Sequence, residues 1–82
     1  MENKTEVIVY STQGCPWCFR AKQFLKDHGI KYIEKNVADD DAALQEMLSK
    51  TGGYTQVPVI DIKGIILKGF DEAKLREVLK IK

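Results

Sequence analysis

The chain has little net charge, little cysteine, a single histidine and no long apolar run. Each shortage excludes something. Its 13 Lys and Arg against 12 Asp and Glu leave a formal net charge of +1. Nucleic-acid binders usually carry a basic excess, so nucleic acid is not an expected partner. Apolar runs such as Ile65-Ile66-Leu67 fall far short of the ~20 residues that span a bilayer, so a membrane role is not expected either. The opening Met1-Glu2-Asn3-Lys4-Thr5-Glu6 lacks the apolar core of a signal peptide, which makes the cytoplasm the expected location. With 82 residues, 44% hydrophobic and 30% charged, the composition fits one folded domain over 1–82 rather than a disordered segment. A monomer is the expected state.

The 2 cysteines, Cys15 and Cys18, lie three positions apart. A disulfide-held secreted domain would spread more cysteines along the chain. A ring as small as this one removes little entropy from the unfolded state, so the pair is a poor staple. Tetrahedral zinc wants four protein ligands. With 2 cysteines and 1 histidine, His28, one chain cannot complete a Cys/His site. Redox chemistry remains, for which C-x-x-C within a β-α-β pattern is the sequence signature.

That pattern is present. Glu6 to Tyr10 is an apolar, β-branched run and predicts a buried strand. From Cys15 to His28 apolar residues recur at helical spacing: Ala21, Leu25 and His28, with Cys18 and Phe24 flanking. Gly29 stops this helix. Ile30 to Val37 alternates Tyr32 and Glu34 against Ile33, Lys35 and Val37, as a half-buried strand does. Asp39, Asp40 and Asp41 precede a helix over Ala42–Lys50, where carboxylates cap its start and suit its dipole. Leu44, Met47 and Leu48 form its buried stripe. Val57 to Ile62 is a third strand, Lys63-Gly64 a hairpin turn and Ile65 to Lys68 a fourth strand. Asp71 caps a last helix with Leu75, Val78 and Leu79 inward. The order β-α-β-α-β-β-α gives an α/β domain. Its small four-stranded mixed sheet has helices on both faces, with a parallel first unit and an antiparallel hairpin at one edge.

Pro16 makes the two cysteines unequal. Proline favours the first helical position, because its missing N–H would have no intrahelical partner there. Cys15 is then the N-cap, its sulfur facing free N–H groups and the positive end of the helix dipole. Those donors favour thiolate, the species that attacks disulfides. Cys18 lies about one turn on, toward the core. Cys15 is therefore the expected exposed nucleophile and Cys18 the resolving thiol. Phe19, on the polar side beside the motif, is an expected exposed apolar contact. His28 lies about 20 Å along the helix from Cys15, at the negative end of the dipole, too far to shuttle a proton. The Asp39–Asp41 run lacks the spacing and bidentate Glu of a calcium loop. Pro58 opens the third strand, and its peptide bond is open to either isomer.

Taken together, Cys15-Pro16-Trp17-Cys18, the later Val57-Pro58 and Gly69-Phe70-Asp71 resemble a glutaredoxin of the thioredoxin-fold superfamily, over nearly the whole chain from Val7 to Leu79. The resemblance implies a thiol–disulfide oxidoreductase with no tightly bound cofactor and with glutathione as co-substrate. Its partners would be disulfide-bonded or glutathionylated proteins. A cis bond before Pro58 is also implied. The implied glutathione contacts are Gln13, Trp17, Gln56, Val57, Pro58, Gly69, Phe70 and Asp71. Trp17 would flank the tripeptide, Val57 would pair with its backbone, and Asp71 with the Phe70 amide would hold its γ-glutamyl end.

Three positions depart from the family pattern. Thr12 stands where many glutaredoxins have Lys or Arg, Gln56 where Thr is usual, and Lys68-Gly69 where Gly-Gly is usual. Lys22 and Lys68 are the candidates for the missing positive charge. Gly69-Phe70 is also similar to redoxins reduced directly by a thioredoxin-reductase flavoenzyme, so two electron donors are open at this point. A third reading, of another class, is an iron–sulfur carrier with Cys15 from two protomers and two glutathiones as ligands. Pro16 and the resolving Cys18 weigh against it.

Overall fold

A computed structural model describes residues 7–80. Seven elements follow one another in the expected order: β1 (Val7–Ser11), α1 (Pro16–Asp27), β2 (Ile33–Asn36), α2 (Asp41–Thr51), β3 (Val59–Ile62), β4 (Ile65–Lys68) and α3 (Glu72–Leu79). The strands form one sheet in the order β2-β1-β3-β4. β1 and β2 run parallel, which requires the crossover that α1 supplies. β3 and β4 are antiparallel to their neighbours, so the sheet is mixed. Glu6, expected at the start of the first strand, lies outside the described residues, as does the rest of the polar opening segment.

Alternation along β1 sorts the core into two layers. Val7 and Val9 point to the face covered by Ala21, Phe24 and Leu25 of α1 and Leu75 of α3. Ile8 and Tyr10 point to the other face, against Ala43, Leu44 and Met47 of α2. β1 is central and thus covered on both sides. Its end therefore has a fixed position relative to the α1 N-terminus that follows it.

Two strands are shorter than the apolar pattern suggests. β2 begins at Ile33 rather than Ile30, and Ile33 is 57% exposed. The cause is position: β2 is an edge strand, so the expected half-buried alternation has a neighbour on one side only. β3 begins at Val59 rather than Val57. Pro58 has no N–H to give to a ladder, and its bond to Val57 is cis. The β3–β4 hairpin turns through Lys63 and Gly64, both at positive φ (52° and 93°), as a two-residue primed turn requires.

A polar cluster ties α2 to the sheet. Lys50 donates to Asp61 Oδ2 at 2.6 Å and to the Tyr10 hydroxyl at 2.7 Å. Asp61 Oδ1 accepts from the Gly64 N–H at 2.8 Å, so one carboxylate joins α2 to the hairpin. Burial opposes the Lys50 charge, but the bonds to Asp61 and Tyr10 outweigh it and raise its pKa above the ordinary lysine value. Burial pushes the Tyr10 phenol up as well. Replacing Asp61 would take from the Lys50 ammonium its shortest carboxylate contact, leaving it Tyr10 and Glu46, and would leave the Gly64 N–H without its acceptor. Asp61→Ala is expected to cost about 2–3 kcal/mol, read as a lower urea midpoint at unchanged slope.

Candidate active site

The end of β1 and the start of α1 build the site. Cys15 is the N-cap of α1 in extended backbone (φ −106°, ψ 104°), and Pro16 follows in the first turn. The Cys15 Sγ accepts the Cys18 backbone N–H at 3.1 Å. A sulfur therefore takes the place that a Ser or Asp oxygen holds at an ordinary cap. Cys15 is half-buried, whereas Cys18 is only 1% exposed. The two are joined by a disulfide with a Cα–Cα distance of 5.2 Å.

Other expected site residues come together in two pairs. Trp17, 56% exposed on the first turn of α1, meets Phe70 with ring centroids 6.3 Å apart. Phe70 in turn packs edge-on against Phe24 at 6.2 Å, which fixes the loop before α3 against α1. The Gly69 N–H donates to the Pro58 carbonyl at 2.8 Å, joining the cis-proline loop to that same segment. Asp71 is the N-cap of α3, its Oδ1 accepting from the Lys74 N–H at 3.3 Å. Pro58 is buried, Val57 half-buried and Gln56 exposed. Gln13 lies apart from these pairs. It lines a recess of about 450 Å³ beside Cys15, with Thr12, Lys22, Glu34 and Asn36.

Two members of that recess were not expected there together. Lys22 donates to Glu34 Oε2 at 2.6 Å, and the buried Ser11 hydroxyl donates to the same oxygen at 2.9 Å. The Lys22 bond holds the Glu34 carboxyl below its ordinary range against a smaller opposing effect of burial, with Ser11 adding to it. No local motif links Ser11, Lys22 and Glu34. Only the parallel register, which sets Ser11 opposite Asn36, brings β2 to this loop. Lys22, a candidate for the charge lacking at Thr12, is thus already paired. Lys68, the other candidate, has its ammonium 5.2 Å from the centre of the Tyr54 ring.

The remaining candidates are structural. The His28 ring lies 4.3 Å from the Phe24 ring, and its Nδ1 is 2.9 Å from the Phe24 carbonyl, at the end of α1. Asp40 caps α2, its Oδ1 accepting from the Ala43 N–H at 3.2 Å. Among the described residues no group of three or more His, Cys, Asp or Glu is arranged to hold a metal ion. No helix among them is long and apolar enough to cross a membrane.

A capped cysteine joined by a disulfide to a second one turn on is a dithiol–disulfide centre. The glutaredoxin family model matches residues 7–66. The chain belongs to the glutaredoxin family. It is 43% identical over 76 residues to a glutaredoxin-like 8.6 kDa protein in the rubredoxin operon of Clostridium pasteurianum, covering 90% of this chain and 97% of that one. It is 36% identical over 66 residues to glutaredoxin 3 of Escherichia coli K12, covering 80% and 78%. The crystal structure of a glutaredoxin from Archaeoglobus fulgidus superposes with a TM-score of 0.83 at 26% identity, covering 98% and 97%. The fold is therefore thioredoxin-like and the protein is a glutaredoxin-type thiol–disulfide oxidoreductase.

The Lys22–Glu34 pair makes stability pH-dependent. The Glu34 pKa is lower folded than its ordinary 4.5, so its contribution is present above about pH 4.5 and is lost as pH falls through the folded value. Denaturant titrations from pH 6 to pH 3 are expected to show falling stability, with a shallower fall in Glu34→Gln.

Proposed function

We propose that the protein reduces protein disulfides and glutathione mixed disulfides, with Cys15 as nucleophile, Cys18 as resolving thiol and glutathione as electron donor. The observation that carries this reading is the cap: the Cys15 sulfur accepts a helix N–H at 3.1 Å, while Cys18 is buried behind it. In the reduced protein the same N–H and the helix dipole stabilise a thiolate on Cys15.

The steps balance as follows. The Cys15 thiolate attacks one sulfur of a substrate disulfide, forming a mixed disulfide and releasing the other sulfur as thiolate. Cys18 loses its proton and attacks the Cys15 Sγ. The substrate leaves with two thiols, and the Cys15–Cys18 disulfide remains. Two glutathiones return the pair to the dithiol and leave as glutathione disulfide. On a glutathionylated protein Cys15 attacks the glutathione sulfur and releases the protein thiol. A second glutathione then clears Cys15 without Cys18.

Glutathione use is supported by Val57-Pro58 and Asp71, which match the family's pattern, and by Trp17, an aromatic where the family usually has Tyr; the segments are joined through the Trp17–Phe70 and Pro58–Gly69 contacts. Gln56 and Gln13 flank the site as further polar contacts. The exposed Asp71 carboxylate both caps α3 and offers an anion to the substrate amine. We place this activity in the cytoplasm, in a monomer of one domain.

A second reading, reduction by thioredoxin reductase, is favoured by one specific observation. The recess beside Cys15 has Thr12 where a cation is usual, and its Lys22 is neutralised by Glu34. The test is NADPH oxidation on a mixed disulfide, driven by glutathione with glutathione reductase or by thioredoxin reductase alone. Turnover in the first system is expected. Turnover in the second alone overturns the glutathione assignment. In the first system Cys18→Ser is expected to retain deglutathionylation and lose protein-disulfide reduction, while Cys15→Ser loses both. Equal loss from both variants contradicts the assigned roles.

A further inference from the structure

Phe19 is 63% exposed on the first turn of α1, where its backbone N–H donates to the Cys15 carbonyl at 3.1 Å. Together with Pro16 it forms a ridge between two depressions. On one side is the recess of about 450 Å³ that contains Cys15, Lys22 and Glu34. On the other is a groove of about 660 Å³ between α1 and α3, lined by Arg20, Phe24, Phe70 and Arg76 among others. Pro16 and Phe19, three apart and so on one face of α1, are both exposed and both line the two depressions. A contiguous apolar patch beside a reactive group marks an interaction surface more often than scattered single residues do.

The charges on this surface are uneven. Lys22 is paired with Glu34, and Arg76 with Glu72 at 2.8 Å. The Arg20 guanidinium instead lies 5.2 Å from the centre of the Trp17 ring, and among the described residues no carboxylate pairs with it. An exposed apolar ridge beside a guanidinium that has no described carboxylate within pairing distance, although Asp27 and Glu72 line the same groove, fits a partner that brings an apolar side chain and a carboxylate. The ridge has a depression on each side, which gives room for an extended polypeptide.

We propose that the Phe19 ridge, with Arg20, is the docking surface for protein substrates, and that it selects disulfides whose reactive cysteine is flanked by an apolar and an acidic residue. The proposal rests on the oxidoreductase reading but not on the identity of the electron donor. Neither Phe19 nor Arg20 is among the residues assigned to glutathione. Phe19 and Arg20 decide which proteins are reduced without touching the reacting sulfurs.

The test is single-turnover reduction by the pre-reduced dithiol protein, so no external donor enters. Each peptide disulfide gains two electrons and two protons and leaves as a dithiol, while Cys15 and Cys18 become the disulfide. Two disulfide peptides of equal length serve as probes, one with Leu and Glu beside the attacked cysteine and one with Ser and Lys there. The small mixed disulfide of glutathione and mercaptoethanol is the third probe. The native protein is expected to react about tenfold faster with the Leu/Glu peptide than with the Ser/Lys peptide, which corresponds to about 1.4 kcal/mol. Phe19→Ser is expected to remove most of that preference and to change the rate on the small disulfide less than twofold. Arg20→Gln is expected to lose the part due to Glu, read with a Leu/Gln peptide. Equal rates on both peptides in the native protein, or equal loss on the peptide and the small disulfide in Phe19→Ser, overturn the proposal. Failure of the small disulfide alone would count against glutathione and leave the peptide comparison intact.

Discussion

One hydrogen bond organises the site: the Cys18 backbone N–H donated to the Cys15 sulfur. It exists because Pro16 starts the helix one residue after Cys15, which leaves the sulfur in the capping position. The first N–H groups of a helix have no internal partners, and an anion there satisfies both their hydrogen bonding and the dipole. The same geometry puts Cys18 one turn further and inward, where substrate cannot reach it before Cys15 does. A difference in role between two chemically identical thiols thus follows from where a helix begins.

The rest of the fold holds that helix start in place. β1 is covered on both faces and ends at Ser11, and Ser11 is anchored sideways through Glu34 to β2 and Lys22. Phe24 packs against Phe70, and Phe70 against Trp17, so the loop before α3 is seated on α1 by aromatic contacts. On the opposite face Lys50, Tyr10 and Asp61 fix α2 and the hairpin. The two clusters share no residue, and polar bonds contribute to holding each side of the sheet. This arrangement suits a small domain, whose apolar core alone gives modest stability.

Much of this was legible in the sequence, and the exceptions have physical causes. Apolar spacing gave all seven elements, since Val7, Val9, Leu25, Met47 and Leu75 are buried where their periodicity puts them. The cap could be read from Pro16 alone, because proline's preference is local. The ends of β2 and β3 could not. Ile33 looks like a core residue until the strand order shows β2 at an edge, and the strand boundary at Val59 depends on a ladder that Pro58 cannot join. The Ser11–Lys22–Glu34 cluster was invisible because its members meet only through strand register. The Lys50–Asp61 pair was invisible as well, since Lys50 belongs to α2 and Asp61 to β3.

The central claim is that the helix start, rather than the cysteine pair as such, makes Cys15 reactive. Thiolate absorbance of the reduced Cys18→Ser protein, followed against pH, tests it most directly, because Cys15 is then the only thiol. The account predicts titration well below the ordinary cysteine value of about 8.5. Titration at or above about 8.5 would contradict it.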